Sequence, residues 1–230
     1  MNTIKNRKPI VAIDGPVGAG KSTTARKVAE KLGFLYVDTG AMYRAVTLDV
    51  LDHGADPDDE AEVGRIVAKS NVELKAGDNG QRTLLNGRDV SLRIRDRDVT
   101  GAVSSVSAMK CVRDRMTEMQ RSMGSNCGIV MEGRDIGTIV FPHAEFKIYL
   151  DASVEVRAKR RFDELAARGV DISYNRLAEE IKERDRLNTL REIAPLRKAD
   201  DAVVVDTTHL TFDEQVNTIV SLVKGSHETG

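Results

Sequence analysis

Eight residues near the start of the chain, Gly15-Pro16-Val17-Gly18-Ala19-Gly20-Lys21-Ser22, fit the spacing G-x-x-x-x-G-K-[ST]. In that pattern the glycines let the backbone turn so that successive N–H groups face phosphate oxygens. The lysine reaches the β- and γ-phosphates, and the hydroxyl ligates magnesium. A helix opening at the loop adds the positive end of its dipole. The expected ligand is a nucleoside triphosphate held by Gly15 to Thr23, with Lys21 as the catalytic cation and Ser22 as the Mg2+ ligand. The same spacing arises by chance in glycine-rich turns, so its context matters. Here a β-branched run precedes the loop and a helical pattern follows it, the context that phosphate binding requires.

The acceptor of a transferred phosphoryl group is a separate question. A GTPase would read its base with Asn-Lys-x-Asp, and no Asn in this chain is followed by Lys. A kinase acting on a hydroxyl would need a general base. An acceptor that is itself a phosphate needs none, because its second pKa of about 6 leaves it ionised at neutral pH. It needs instead fixed cations that hold two polyanions in contact once water is excluded. Nine arginines lie between Arg157 and Arg197, and Arg44, Arg95, Arg113 and Arg134 stand beside other motif-like residues. Many of these are expected to be solvated helix faces paired with Glu and Asp. The exceptions are those whose spacing converges. Arg184, Asn188 and Arg191 fall on one helical face at i, i+4 and i+7, and Arg157 and Arg161 do likewise with Arg160 adjacent. Arginine binds phosphate bidentately and stays charged. A regulatory nucleotide sensor is a competing reading, but a sensor has no need of a second polyanion site.

The elements that must position these residues read as follows. Ile10 to Ile13 is a buried strand, Thr23 to Leu32 a helix stopped by Gly33, Phe34 to Val37 a second strand, and Ala41 to about Leu51 a helix. Strand, loop, helix, strand is a βαβ unit and implies a parallel sheet. Asp59 to Lys69 reads as a helix. Val72 to Lys75, Thr83 to Leu85 and Arg88 to Val90 read as strands of a small antiparallel insertion, with turn signals at Gly77 to Gly80 and at Asn86-Gly87. Arg95 to Met123 reads as one helical stretch. Gly128 to Met131 and Phe146 to Leu150 read as two more buried strands and Ala202 to Val205 as a fifth strand, and Val154 to Arg168, Asn175 to Leu190 and Phe212 to Val223 are further helices.

With 230 residues the chain suits one well-buried core with inserted subdomains. It is 40% hydrophobic and 31% charged with a formal net charge of −1, a balance that predicts neither nucleic acid nor an anionic membrane as partner. Cys111 and Cys127 are too few for a zinc site and read as reduced thiols. The polar segment Met1 to Lys8 precedes an apolar run too short for a signal core or a membrane span, so a cytosolic location is expected.

The chain resembles the bacterial cytidylate kinases from roughly Ile10 to Val223. Beyond the phosphate loop, the resemblance rests on Asp38-Thr39-Gly40-Ala41-Met42-Tyr43-Arg44, Glu132-Gly133-Arg134-Asp135-Ile136-Gly137-Thr138, Val140-Phe141-Pro142 and Leu150-Asp151-Ala152-Ser153. It ends with Ile181-Lys182-Glu183-Arg184-Asp185 and Ala194-Pro195-Leu196. The resemblance implies an α/β, P-loop NTPase-type five-stranded parallel sheet with helices on both faces, a monophosphate-binding insertion and a helical lid. It implies a core over about 8–38, 125–153 and 192–230, a monophosphate-binding region over about 39–124 and a lid over about 154–191. The implied reaction moves the γ-phosphoryl group of ATP, with Mg2+, to CMP or dCMP. Thr39, Tyr43 and Arg44 would meet the acceptor with Arg134 and Arg191 at its phosphate. Ser104, Arg113 and Asp135 would read the cytosine, and Arg184 and Asn188 would contact the ribose. Arg157, Arg160 and Arg161 would close over the triphosphate. A monomer is expected. Asn188 stands where the family often has Asp, which leaves the choice between CMP and dCMP open.

Overall fold

A computed structural model describes residues 9–77, 80–124, 128–167 and 169–225. The segment Met1 to Lys8, Asp78 and Asn79 of the expected turn, Cys127 and Arg168 therefore lie outside the described residues. The chain divides into two compact units, one formed by the chain up to Tyr36 and from Asn126 onward, the other by Val37–Ser125.

The first unit is built on a five-stranded sheet. Its strands are β1 (Ile10–Asp14), β2 (Leu35–Asp38, whose last two residues begin the second unit), and three more that follow the second unit in sequence. Numbered after the three strands of that unit, these are β6 (Ile129–Gly133), β7 (Phe146–Asp151) and β8 (Val203–Asp206), and the sheet order is β2-β6-β1-β7-β8. β1 pairs in parallel with β6 and with β7, and β7 pairs in parallel with β8. Every residue of β1 is buried, as its unbroken apolar run requires of a central strand. The chain leaves β1 in one direction toward β2 and later enters the other side through β7. The strand order therefore reverses at β1, and the carboxyl ends of such strands form the binding crevice of open α/β sheets. α1 (Lys21–Leu32) follows β1 directly. Its Ala25, Val28 and Ala29 join Val11, Ile13, Val130, Ile148 and Leu150 in a core completed by Val216, Ile219 and Val223 of the last helix, α8 (Phe212–Gly225, numbered in the chain order completed below). α1 stops where Gly33 turns left-handed and Phe34 N–H bonds Ala29 O at 2.9 Å. The fifth strand, β8, lies at the sheet edge and leaves Val203 and Val204 45% and 51% exposed.

The second unit holds α2 (Thr39–Asp52), α3 (Glu60–Val67), an antiparallel sheet of β3 (Val72–Gly77), β4 (Gly80–Leu85) and β5 (Arg88–Asp89), then α4 (Arg97–Ala108) and α5 (Lys110–Met123). The β4–β5 hairpin turns on Asn86 and Gly87 at φ 50° and 82°, the pair of left-handed residues a two-residue hairpin needs. The helical stretch from Arg95 to Met123 is divided into two helices. A short turn at Arg93–Arg95 precedes α4, and Met109 is extended (φ −67°, ψ 136°), ending α4 and opening α5. The break is held from across the kink, because Arg113 Nη1 donates to Ser107 O at 3.2 Å and so satisfies a carbonyl of the last turn of α4. Returning to the first unit, α6 (Val154–Ala166) and α7 (Tyr174–Leu190) pack against each other as a helical pair.

Candidate active site

The loop between β1 and α1 is shaped by close approach. A Cβ on Gly15 would sit 2.0 Å from Leu150 O, so no other residue fits there without moving β7. Gly20 is left-handed (φ 85°) and opens α1 with no side-chain cap, which leaves the first N–H groups of the helix to an anion. Lys21 is 5% exposed, and its Nζ donates to Pro16 O at 2.7 Å, folded back over the loop it serves. Burial pushes its pKa down to about 7. Arg134 adds to that, while Glu132, Asp14 and Asp185 oppose it. The loop lysine is thus poised to take up a proton when negative charge arrives.

Two carboxylates from strand ends complete this side, and the chemical reasoning from sequence had assigned neither a role. Ser22 Oγ donates to Glu132 Oε1 at 2.6 Å. Glu132 is the penultimate residue of β6, directly opposite Ile13 of β1, and is buried. Asp14 accepts from Ile136 N–H at 2.8 Å and Gly137 N–H at 2.7 Å. Its burial raises its pKa to about 6, with those two bonds and Lys21 pulling the other way and Asp135 adding to the rise. Asp14 thereby fastens a wide π-type turn, Ile136–Val140, to the end of β1; turns of this kind recur at functional sites. In the sequence, Asp14 is marked only by its place at the end of a strand expected to be buried, and Glu132 by a similar place and by opening the motif Glu132 to Thr138.

The remaining predicted residues of the first unit fall as follows. Asp135 is 3% exposed, with Arg191 Nη2 4.0 Å from its Oδ1. Arg191 is turned by a 2.5 Å bond from Nε to Ala194 O, and Arg134 Nη1 donates to Gly133 O at 3.1 Å. Arg184, Asn188 and Arg191 are all half-buried while Leu187, Thr189 and Leu190 are exposed, so the spacing did mark one inward face. Arg160 donates to Thr207 through both terminal nitrogens, at 3.0 and 2.8 Å. Arg161 is at the surface with Glu164 at 2.7 Å. Arg157 differs from the other two. It is 5% exposed. Its Nε bonds Ala152 O and its Nη1 bonds Val17 O and Asp185 Oδ2. It comes from the first turn of α6, which lies against the loop: a Cβ on Gly18 would be 3.1 Å from Arg157 Cβ.

In the second unit, Asp38 caps α2 by accepting from Ala41 N–H at 2.8 Å, and Arg44 Nη2 lies 3.5 Å from Asp38 Oδ2. Thr39 is buried at the same helix start. The Arg113 guanidinium carbon lies 5.3 Å from the ring centre of Tyr43, a cation–π contact, and Arg113 is itself buried. Tyr43 and Arg113, seventy residues apart in sequence, are thus brought together. Ser104 is exposed on α4.

The oxygens of Ser22 and Glu132 are hard donors, as Mg2+ prefers, and Mg2+ keeps several waters and phosphate oxygens beside one or two protein ligands. The donor set fits that ion. Among the described residues no group of three or more His, Cys, Asp or Glu forms a separate metal site.

A sequence model of the family described as cytidylate kinase matches residues 11–225. A protein of that name from Carboxydothermus hydrogenoformans is 49% identical over 213 residues, covering 93% of this chain and 96% of its own. Another from Geobacillus kaustophilus is 50% identical over 217 residues, covering 94% and 97%. Among solved structures, an uncharacterised protein from Eubacterium ventriosum superposes with a TM-score of 0.52 at 12% identity, covering 94% of this chain and 99% of that one. That last likeness is one of fold.

Proposed function

The chain belongs to the cytidylate kinase family, and from that premise we propose how its side chains divide the work of an ATP-dependent transfer of a phosphoryl group to CMP or dCMP. The observation that carries the reading is the donor loop. An uncapped helix start, a buried lysine and a serine–carboxylate pair converge there, at the strand where the sheet order reverses.

Gly15 to Thr23 wrap the triphosphate, with backbone N–H groups and Lys21 on its β- and γ-phosphates. Ser22 and Glu132 hold Mg2+, directly or through its waters, and the ion when bound neutralises charge on the phosphate oxygens. Arg160 and Arg161 supply further positive charge toward the triphosphate. Arg44, Arg134 and Arg191 receive the acceptor phosphate, Thr39 and Tyr43 line the same end of the acceptor, and Ser104, Arg113 and Asp135 read the cytosine edge. Arg184 and Asn188 bond the ribose. Asn188 is an amide that can still bond a ribose hydroxyl but carries no charge, so the preference between CMP and dCMP stays open. No general base is needed, because the acceptor is already an anion; catalysis comes from positioning and from charge neutralisation. The region from 39 to 124 and the helices over 154–191 act as the parts that close on the substrates and exclude water.

The protein works as a cytoplasmic monomer on free nucleotides, without nucleic acid. A formal net charge of −1 gives no reason to expect nucleic acid as a partner. A coupled assay with ATP and each of CMP, dCMP, UMP and AMP tests the reading. Turnover with CMP and dCMP well above UMP and AMP is expected, and a preference for UMP or AMP would overturn the cytosine assignment.

A further inference from the structure

Val17, the third residue of the phosphate loop, has both of its backbone polar groups held by side chains from other elements. Its N–H donates to Asp185 Oδ1 at 3.2 Å, and its carbonyl accepts from Arg157 Nη1 at 2.9 Å. The two side chains are themselves paired, Nη1 to Oδ2 at 2.5 Å, and the Arg157 and Asp185 side chains are 6% and 20% exposed. Arg157 Nε is anchored in turn on Ala152 O at 2.8 Å. Asp185 comes from the middle of α7 and Arg157 from the first turn of α6.

We propose that Asp185 is a positioning residue for phosphoryl transfer: with Arg157 it clamps Val17, so that the glycine-rich half of the loop stays in the shape a triphosphate needs, and it ties the seat of α7 to that loop. The physical reason lies in the loop itself. Gly15, Gly18 and Gly20 all adopt positive φ, and glycines lose the most backbone freedom on ordering. A loop already held at Val17 meets its ligand with less of that loss still to come. The clamp uses the backbone of the residue just before Gly18 and leaves the N–H groups from Gly18 onward to face phosphate. Asp185 is the next residue after Arg184 and lies three before Asn188. The helix that carries the proposed ribose contacts is therefore the one that grips the donor loop. This inference rests on the loop being the triphosphate site, and not on which monophosphate is the acceptor.

The sign of one measurement separates positioning from simple electrostatics. Removing a carboxylate beside a triphosphate site, and freeing an arginine there, should tighten binding if only charge mattered. Loss of a clamp should weaken it. MgATP and CMP would be titrated separately, by calorimetry, into the full chain and its variants. Asp185→Ala is expected to weaken MgATP binding about tenfold, as one ordering interaction lost, while CMP affinity stays within about twofold. Arg157→Met should give a similar loss, and the double variant should be no worse than the weaker single variant, because the two residues act as one unit. Asp185→Asn, nearly the same in shape, serves if the alanine variant does not fold, and the same sign is expected. Unchanged or tighter MgATP binding would overturn the proposal, as would equal losses for both nucleotides. Failure of the wild-type chain to bind CMP would strike the acceptor assignment and leave the clamp testable through MgATP.

Discussion

At the scale of single residues the loop lysine carries the most information. Lys21 Nζ sits on Pro16 O with its pKa lowered to about 7 by burial and by Arg134. A triphosphate brings several negative charges to within contact, which favours the protonated amine. Binding of MgATP at pH 8 should therefore take up about one proton, whereas at pH 6 the amine is already charged and uptake should vanish. Titration calorimetry in buffers of different ionisation enthalpy reads this directly; no uptake at pH 8 would contradict the assignment. Affinity should fall as pH rises above 7, since the proton must then be supplied during binding. Lys21→Met keeps the volume and removes the charge. It should lower kcat/KM by about 10²–10³-fold, the usual cost of one donor aimed at developing charge, with an unchanged circular dichroism spectrum.

At the scale of elements, one glycine enclosed by its neighbours and one needed only for its left-handed backbone separate chemistry from folding. Gly15 meets Leu150 O at 2.0 Å from a notional Cβ, so Gly15→Ala must push the loop and β7 apart. Both stability and MgATP binding should fall, as read by thermal unfolding and by titration. Gly87 is left-handed at φ 82° with open space around it. Gly87→Ala should cost about 1 kcal/mol of stability through backbone strain alone and leave turnover as it was. A loss of turnover at Gly87 would mean that the hairpin takes part in the reaction. The strand–loop–helix around Gly20 was legible in sequence because β-branched runs, glycine stops and helical spacing are local signals. The break at Met109 was not legible. Nothing local demands it, and it is held by Arg113, a buried side chain that also stacks on Tyr43.

At the scale of the whole molecule, the buried charges at the donor loop set a pH dependence of the ligand-free protein. Asp14 has its pKa raised from 3.8 to about 6, so its folded form holds a proton that the unfolded chain has lost. Its contribution is full below about pH 4 and declines as pH rises through 6. Lys21 is lowered from 10.5 to about 7, so the unfolded chain binds the extra proton between those values and stability rises across that window, by up to about 1.4 kcal/mol per pH unit. Denaturant unfolding from pH 7.5 to 10 should show this rise. In Lys21→Met the rise should be absent, and a wild-type profile in that variant would refute the account. Saturating MgATP should remove most of the rise as well, because the amine then stays charged on the bound phosphates.

The sequence by itself determined the donor side. A phosphate loop is one contiguous segment whose chemistry lies in backbone N–H groups, so its residues can be read without knowing what lies around them. It also placed Arg184, Asn188 and Arg191 on one face, because helical spacing is a local rule. Only the tertiary structure decided which partners complete those groups. Glu132 reaches Ser22 across 110 residues of chain, Asp14 reaches Ile136 across 122, and Asp185 reaches Val17 across 168. Such pairings depend on the order in which strands join the sheet and on which helices pack beside the loop. For the same reason the burial of Arg157 and its bond to Val17 O follow from packing and not from its helical spacing.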